Sequence, residues 1–120
     1  MMEPHAMAIL IYAIMMVESG GNMHVGPGDG GRAIGPFQIH EAYLQDSGRP
    51  YQHREMQDPH KAIDVIDAYM RRYATPERKP DGMTWEEFVA RIHNGGPRGH
   101  ERDSTLGYWA RVKKVLSDLD

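Results

Sequence analysis

The sequence predicts an α-rich, essentially all-α fold of about five helices, with a glycine-rich loop or short hairpin over 19–35. Twelve apolar or small residues run without a charge from Ala6 to Val17. Later segments carry their apolar residues at helical spacing. Thirteen glycines and eight prolines cluster at 20–36 and 95–99 rather than spreading along the chain, so they mark particular loops.

The first helix is expected over 5–18, apolar on nearly every face and therefore central. Gly20-Gly21-Asn22 stops it. Residues 19–35 read as an irregular loop, with a short hairpin near Gly28-Asp29-Gly30-Gly31. Pro36 suits the first turn of a second helix over 36–46, ended by Asp46-Ser47-Gly48. Asp58-Pro59 pairs a capping acid with proline at the first helical position, and that helix runs to about Ala74. Its stripe is Ala62, Ile66, Tyr69, Met70 and Tyr73. Thr84 to Glu87 forms a capping box, followed by a buried face of Trp85, Phe88, Val89 and Ile92. Asn94-Gly95-Gly96-Pro97 breaks that helix. The last helix begins near Ser104 or Thr105 and is expected to bury Leu106, Trp109, Val112, Leu116 and Leu119. No repeat or linker interrupts residues 1–120, which read as one domain.

The formal charge is −3, which argues against a nucleic-acid partner, since such a domain carries a basic stripe. Seven acids face three bases in the first sixty residues, and ten face eleven in the second sixty. With no cysteine, the fold needs no oxidising compartment. The run 6–17 has no basic segment before it and no small-residue cleavage pattern after it, so it reads as a helix rather than a signal peptide. Twelve residues are too few to span a bilayer, and no membrane insertion is expected. His40-Glu41 opens like a zinc-protease motif, but position 44 is leucine, so neither metal nor cofactor is expected.

Glu18 sits where the apolar run breaks into glycine. The negative end of a helix dipole disfavours an ionised acid there, which suits a group that must hold a proton. Asp29 lies eleven residues on, in an exposed glycine cluster that suits an ionised carboxylate. Two carboxyl groups in opposite environments, about 5–9 Å apart, are the usual apparatus for cutting a glycosidic bond. Taken alone, Asp29 reads first as Asp-Gly turn chemistry, and its value comes from pairing with Glu18. Gln38 and Tyr43 are candidates for bonding sugar hydroxyls. His93, Asn94, Gly95 and Gly96 follow a helix end, where exposed backbone groups suit the acetamido groups of amino sugars.

Three motifs occur in order: Val17-Glu18-Ser19-Gly20; Gly35-Pro36-Phe37-Gln38-Ile39 with Ala42-Tyr43 and Asp46; and Ala90-Arg91-Ile92-His93-Asn94-Gly95-Gly96-Pro97-Arg98-Gly99. Together they resemble the invertebrate-type, destabilase-like lysozymes over about residues 12–115. The resemblance implies a lysozyme-like fold and cleavage of the β-1,4 bond after N-acetylmuramic acid in peptidoglycan. It implies that Glu18 is the general acid and Asp29 the nucleophile or stabiliser. Tyr43 and His93–Gly96 match substrate-binding positions, and the expected partner is peptidoglycan or a chitin-like oligosaccharide met by a monomer. The site of action would be the bacterial cell wall, reached by secretion, from the periplasm or by phage delivery. Family members are typically secreted and rich in disulfides, whereas this chain has none. Two alternatives stay open: a lytic transglycosylase using Glu18 alone, and a non-catalytic wall- or chitin-binding module.

Overall fold

A computed structural model describes residues 2–120. Five α-helices carry the chain: α1 Pro4–Ser19, α2 Glu41–Ser47, α3 Pro59–Tyr73, α4 Trp85–Gly95 and α5 Leu106–Asp118. Short 3-10 turns stand at Asp29–Gly31, His53–Gln57, Gly99–Glu101 and Asp103–Thr105. No helix among the described residues is long and apolar enough to cross a membrane. The chain packs as two compact units, one of Glu18–Arg72 and one of the segment up to Val17 together with Tyr73–Asp120.

In the unit of Glu18–Arg72, two antiparallel bridges replace the expected irregular loop. Gly28 pairs with Ala33, and Ile34 with Ile39. The expected hairpin at 28–31 is present, but the predicted helix start at Pro36 is not. Residues 35–38 form a turn closed by Ile34 N to Ile39 O at 3.1 Å and Ile39 N to Ile34 O at 2.9 Å. Proline suits such a turn as well as it suits a helix start, and the bridge decides between them. Helix α2 therefore begins at Glu41 and ends, as predicted, at Gly48 in the left-handed conformation. Phe37, Ile39, Leu44, Met56, Ala62, Val65 and Ile66 are buried. Helix α3 starts as its sequence predicts: the Asp58 carboxylate accepts from His60 N at 2.9 Å. The arginines of its last turn complement the helix dipole, and Arg72 donates to Asp46 O at 2.9 Å.

In the other unit, α1 is capped by a residue before Pro4. The Glu3 carboxylate accepts from His5 N at 2.9 Å and Ala6 N at 3.0 Å. These backbone donors hold it below the usual carboxylate range. The helix is less central than its apolar run predicts. Leu10, Ala13 and Ile14 are fully buried, but Ile9 and Tyr12 are exposed. Apolar sequence on every face permits burial without enforcing it.

Thr84 caps α4 by accepting from Glu87 N at 3.2 Å. Glu87 does not return the bond of a capping box, because its carboxylate takes Arg91 Nη1 at 2.7 Å. Arg91 is 6% exposed, and its guanidinium is spent on three partners. Beyond Glu87, it donates to Thr105 Oγ1 at 2.8 Å and Arg102 O at 2.9 Å. Thr105 Oγ1 in turn shares its one hydrogen between the carbonyl oxygens of Gly99, at 2.7 Å, and Arg102, at 2.8 Å. A side chain on Gly99 would lie 2.0 Å from Arg91 O, so the chain after α4 folds directly onto that helix. On α5 the buried residues are Tyr108 and Val112, while Leu106 and Leu119 are exposed, contrary to the expected stripe. Val112 of that stripe is fully buried and Trp109 and Leu116 are half-buried, so only the two ends of the stripe leave the core.

His100 is 8% exposed, lies edge-on to Phe88 at 4.8 Å, and its Nδ1 has no hydrogen-bond partner. Burial holds its pKa below the ordinary value; Arg78, Arg91 and Arg98 act the same way, and Glu101 opposes them. The unfolded chain therefore binds a proton that the folded chain resists. Stability is full above about pH 6.5 and is lost as pH falls through that value toward the depressed one. Calorimetry of His100→Leu is expected to show a smaller drop in Tm between pH 7.5 and 5 than wild type. Equal drops would remove His100 as a cause.

Candidate active site

Glu18 lies in the last turn of α1, half-buried. Tyr43, from α2, stacks on Tyr69 of α3 with ring centroids 3.8 Å apart and planes 8° from parallel. Burial raises the Tyr43 pKa well above the usual phenol value, and the charges of Tyr69 and Glu18 push the same way. Its hydroxyl therefore stays protonated through the working range, close enough to Glu18 to feel its charge. The sequence marks Tyr43 but not its platform. Tyr69 reads only as core, and its burial bears that out while hiding its second use.

Asp29 opens the 3-10 turn inside the Gly28–Ala33 bridge, with φ at +49°. Non-glycine residues held there carry strain, and such strain gathers at functional positions. Its carboxylate does not make the turn. Gly31 N goes to Gly28 O at 3.0 Å, and Arg32 N goes to the backbone carbonyl of Asp29 at 3.3 Å. The carboxylate instead meets His40, whose Nε2 is 3.2 Å from Asp29 Oδ2. Sequence reasoning missed this pairing, since eleven residues separate the two and only the intervening bridges bring them together.

Gln38 also has positive φ, +52°. Its side-chain amide donates to Gly35 O at 2.9 Å, and its Oε1 lies 2.1 Å from where a side chain on Gly28 would begin. Gln38 thus braces the turn that follows the Asp29 loop. Glu18, Asp29, Gln38 and Tyr43 all belong to the unit of Glu18–Arg72.

The remaining candidates belong to the other unit. His93 is 7% exposed, its ring 6.5 Å from that of Tyr108 and 28° from parallel. Asn94 is exposed, Gly95 and Gly96 are half-buried, and Gly96 closes α4 with φ at +87°. Arg78 donates to the carbonyls of Tyr73 and Pro97 and so holds the segment after Gly96. Nothing in the sequence around Arg78 distinguishes it from a solvated loop charge. No cluster of three or more metal-ligating side chains occurs among the described residues.

Comparisons with known proteins carry the reading further. The family model described as destabilase matches residues 10–115. A lysozyme of Meretrix lusoria is 42% identical over 88 residues, covering 72% of this chain and 70% of the relative. Invertebrate-type lysozyme 3 of Caenorhabditis elegans is 32% identical, covering 91% of this chain and 86% of the relative. The crystal structure of Tapes japonica lysozyme superposes with a TM-score of 0.76 at 34% identity, covering 89% of this chain and 88% of that one. A Meretrix lusoria lysozyme solved in complex with Aeromonas hydrophila PliI gives 0.75 at 37% identity, with the same coverage.

The helical fold and these relatives define a glycoside hydrolase of the lysozyme class. More narrowly, the chain belongs to the destabilase family, the invertebrate-type lysozymes, and it does so without a single cysteine.

Proposed function

We propose that residues 1–120 act as one catalytic domain, a monomeric retaining muramidase that cleaves the β-1,4 bond between N-acetylmuramic acid and N-acetylglucosamine in the bacterial cell wall. The supporting observation is the Asp29 carboxylate, released from turn-making and held on a strained, bridge-bounded loop in the same unit as Glu18. Glu18 donates its proton to the leaving glycosidic oxygen. Asp29 attacks the anomeric carbon, or stabilises its positive charge, as that bond breaks. Glu18, now ionised, takes a proton from water, whose oxygen displaces Asp29 and restores both carboxyl groups. Tyr43, with its hydroxyl protonated, is a donor to a sugar oxygen beside Glu18. Asn94 and the Gly95–Gly96 backbone are proposed to bind acetamido groups, with His93 fixing their position from within its unit.

A lytic transglycosylase needs Glu18 but not Asp29 and closes the sugar on itself, giving a 1,6-anhydro product lighter by one water. Purified peptidoglycan digested with wild type and Asp29→Asn, followed by product mass analysis, separates the two. Reducing-end products from wild type and a loss of at least about 100-fold in Asp29→Asn are expected. Anhydro products with Asp29→Asn unimpaired would favour the transglycosylase. Binding with no released product would leave only a wall-binding module.

A further inference from the structure

Two side chains near the proposed centre stand where side chains ordinarily serve the backbone, and neither does. Aspartate at the head of a turn normally bonds an amide two residues on. Here backbone bonds close the turn, the Arg32 side chain adds one to Asp29 O at 3.2 Å, and the Asp29 carboxylate stays open to water. The residue preceding a helix often caps it through its side chain when that side chain is Ser, Thr, Asp or Asn. His40 precedes α2, its backbone carbonyl takes Leu44 N at 3.1 Å, and its ring caps nothing. The two side chains meet each other instead, Nε2 to Oδ2 at 3.2 Å.

Their bases are fixed while their tips are open. Asp29 directly follows Gly28, which exchanges bonds of 2.9 and 3.0 Å with Ala33. His40 directly follows Ile39, which is bridged to Ile34 and 1% exposed, and whose carbonyl also meets the His53 ring at 2.7 Å. The paired side chains themselves are 48% and 57% exposed. A contact so open to water adds little to stability, so folding alone gives little reason for it.

We propose that His40 is a positioning residue for Asp29. An N–H at Nε2 holds Oδ2, fixes the torsion of the carboxylate and leaves Oδ1 as the oxygen that attacks the anomeric carbon. The proposal rests on the reading of Asp29 as nucleophile or stabiliser. It assigns His40 no proton transfer and no contact with the sugar.

The test measures kcat and KM on soluble peptidoglycan fragments for wild type, His40→Leu, His40→Gln, Asp29→Asn and the His40→Leu/Asp29→Asn double variant, with Tm for each. His40→Leu is expected to lose roughly tenfold in kcat, the scale of a misoriented reacting group, with KM within about twofold and Tm nearly unchanged. His40→Gln, which keeps a donor, recovers most of that loss. On the slow Asp29→Asn background His40→Leu costs nothing further, because its partner is already gone. Wild-type kcat in His40→Leu overturns the inference, as does a full tenfold loss repeated on the Asp29→Asn background. Undiminished turnover in Asp29→Asn overturns the reading of Asp29 itself and the inference with it, so the two failures are told apart.

Discussion

Glu18→Gln is expected to lose nearly all turnover on purified cell wall, by about 10²–10⁴-fold or more, with the fold intact. Glutamine matches glutamate in size and can still accept and donate hydrogen bonds, but it has no proton to give a leaving oxygen. The structural cost is small. Glu18 is half-buried in the last turn of α1, and a neutral amide at the negative end of a helix does not weaken it. Substrate binding should survive, since the amide fills the same space. Activity and affinity therefore part company: kcat collapses, and the dissociation constant for an N-acetylglucosamine oligomer stays within a fewfold. Near-normal turnover in this variant would sink both the muramidase and the transglycosylase readings together, because each draws its proton from Glu18. The Tyr43 hydroxyl, kept protonated near that carboxylate, cannot substitute, since a phenol with a raised pKa is a poor acid.

The helices were legible because their signals are local. Asp58-Pro59, Thr84 and Gly48 each mark a boundary through their own backbone and side chain, and each boundary is where the sequence places it. What the sequence concealed is contact between distant positions. Pro36 carries the same local preference in a helix and in a turn, and the Ile34–Ile39 bridge chose the turn. Leu106 and Leu119 are exposed because apolar spacing permits burial without enforcing it at the two ends of a helix. The candidate residues divide in the same way. Glu18 stands out because an acid is unexpected at the end of an apolar run, and Asp29 stands out only once it is paired with Glu18. His40 does not, since its meaning lies entirely in a partner eleven residues away. Gln38 stands out in sequence for a sugar contact, while its bond to Gly35 O comes only with the fold.

Gly35→Ala is expected to be the most damaging single substitution in the segment that joins Asp29 to His40. Gly35 is buried at φ +82°, a conformation that costs an L-residue about 1–2 kcal/mol. A methyl group there would also lie 1.9 Å from the carbonyl oxygen of Met56 and 2.7 Å from its carbon. Those are backbone atoms, and Met56 is itself fully buried, so the neighbour cannot swing aside as a flexible side chain would. Overpacking of this kind typically adds about 1–3 kcal/mol. The combined loss of about 2–5 kcal/mol corresponds to a fall in Tm of roughly 10–20 °C for a chain of this length. Gly48 supplies the control. It too has positive φ, +76°, but nothing lies within 4 Å of the added carbon, so Gly48→Ala bears the conformational cost alone. Equal losses in the two variants would show that the approach to Met56 is not the cause. If the loss is larger at Gly35, activity should fall with it even below the melting transition. The turn at 35–38 leads through Ile39 to His40, and a displaced turn moves the imidazole away from Asp29. Close packing of Gly35 on Met56 would then be what keeps an exposed carboxylate in a fixed place on a glycine-rich loop.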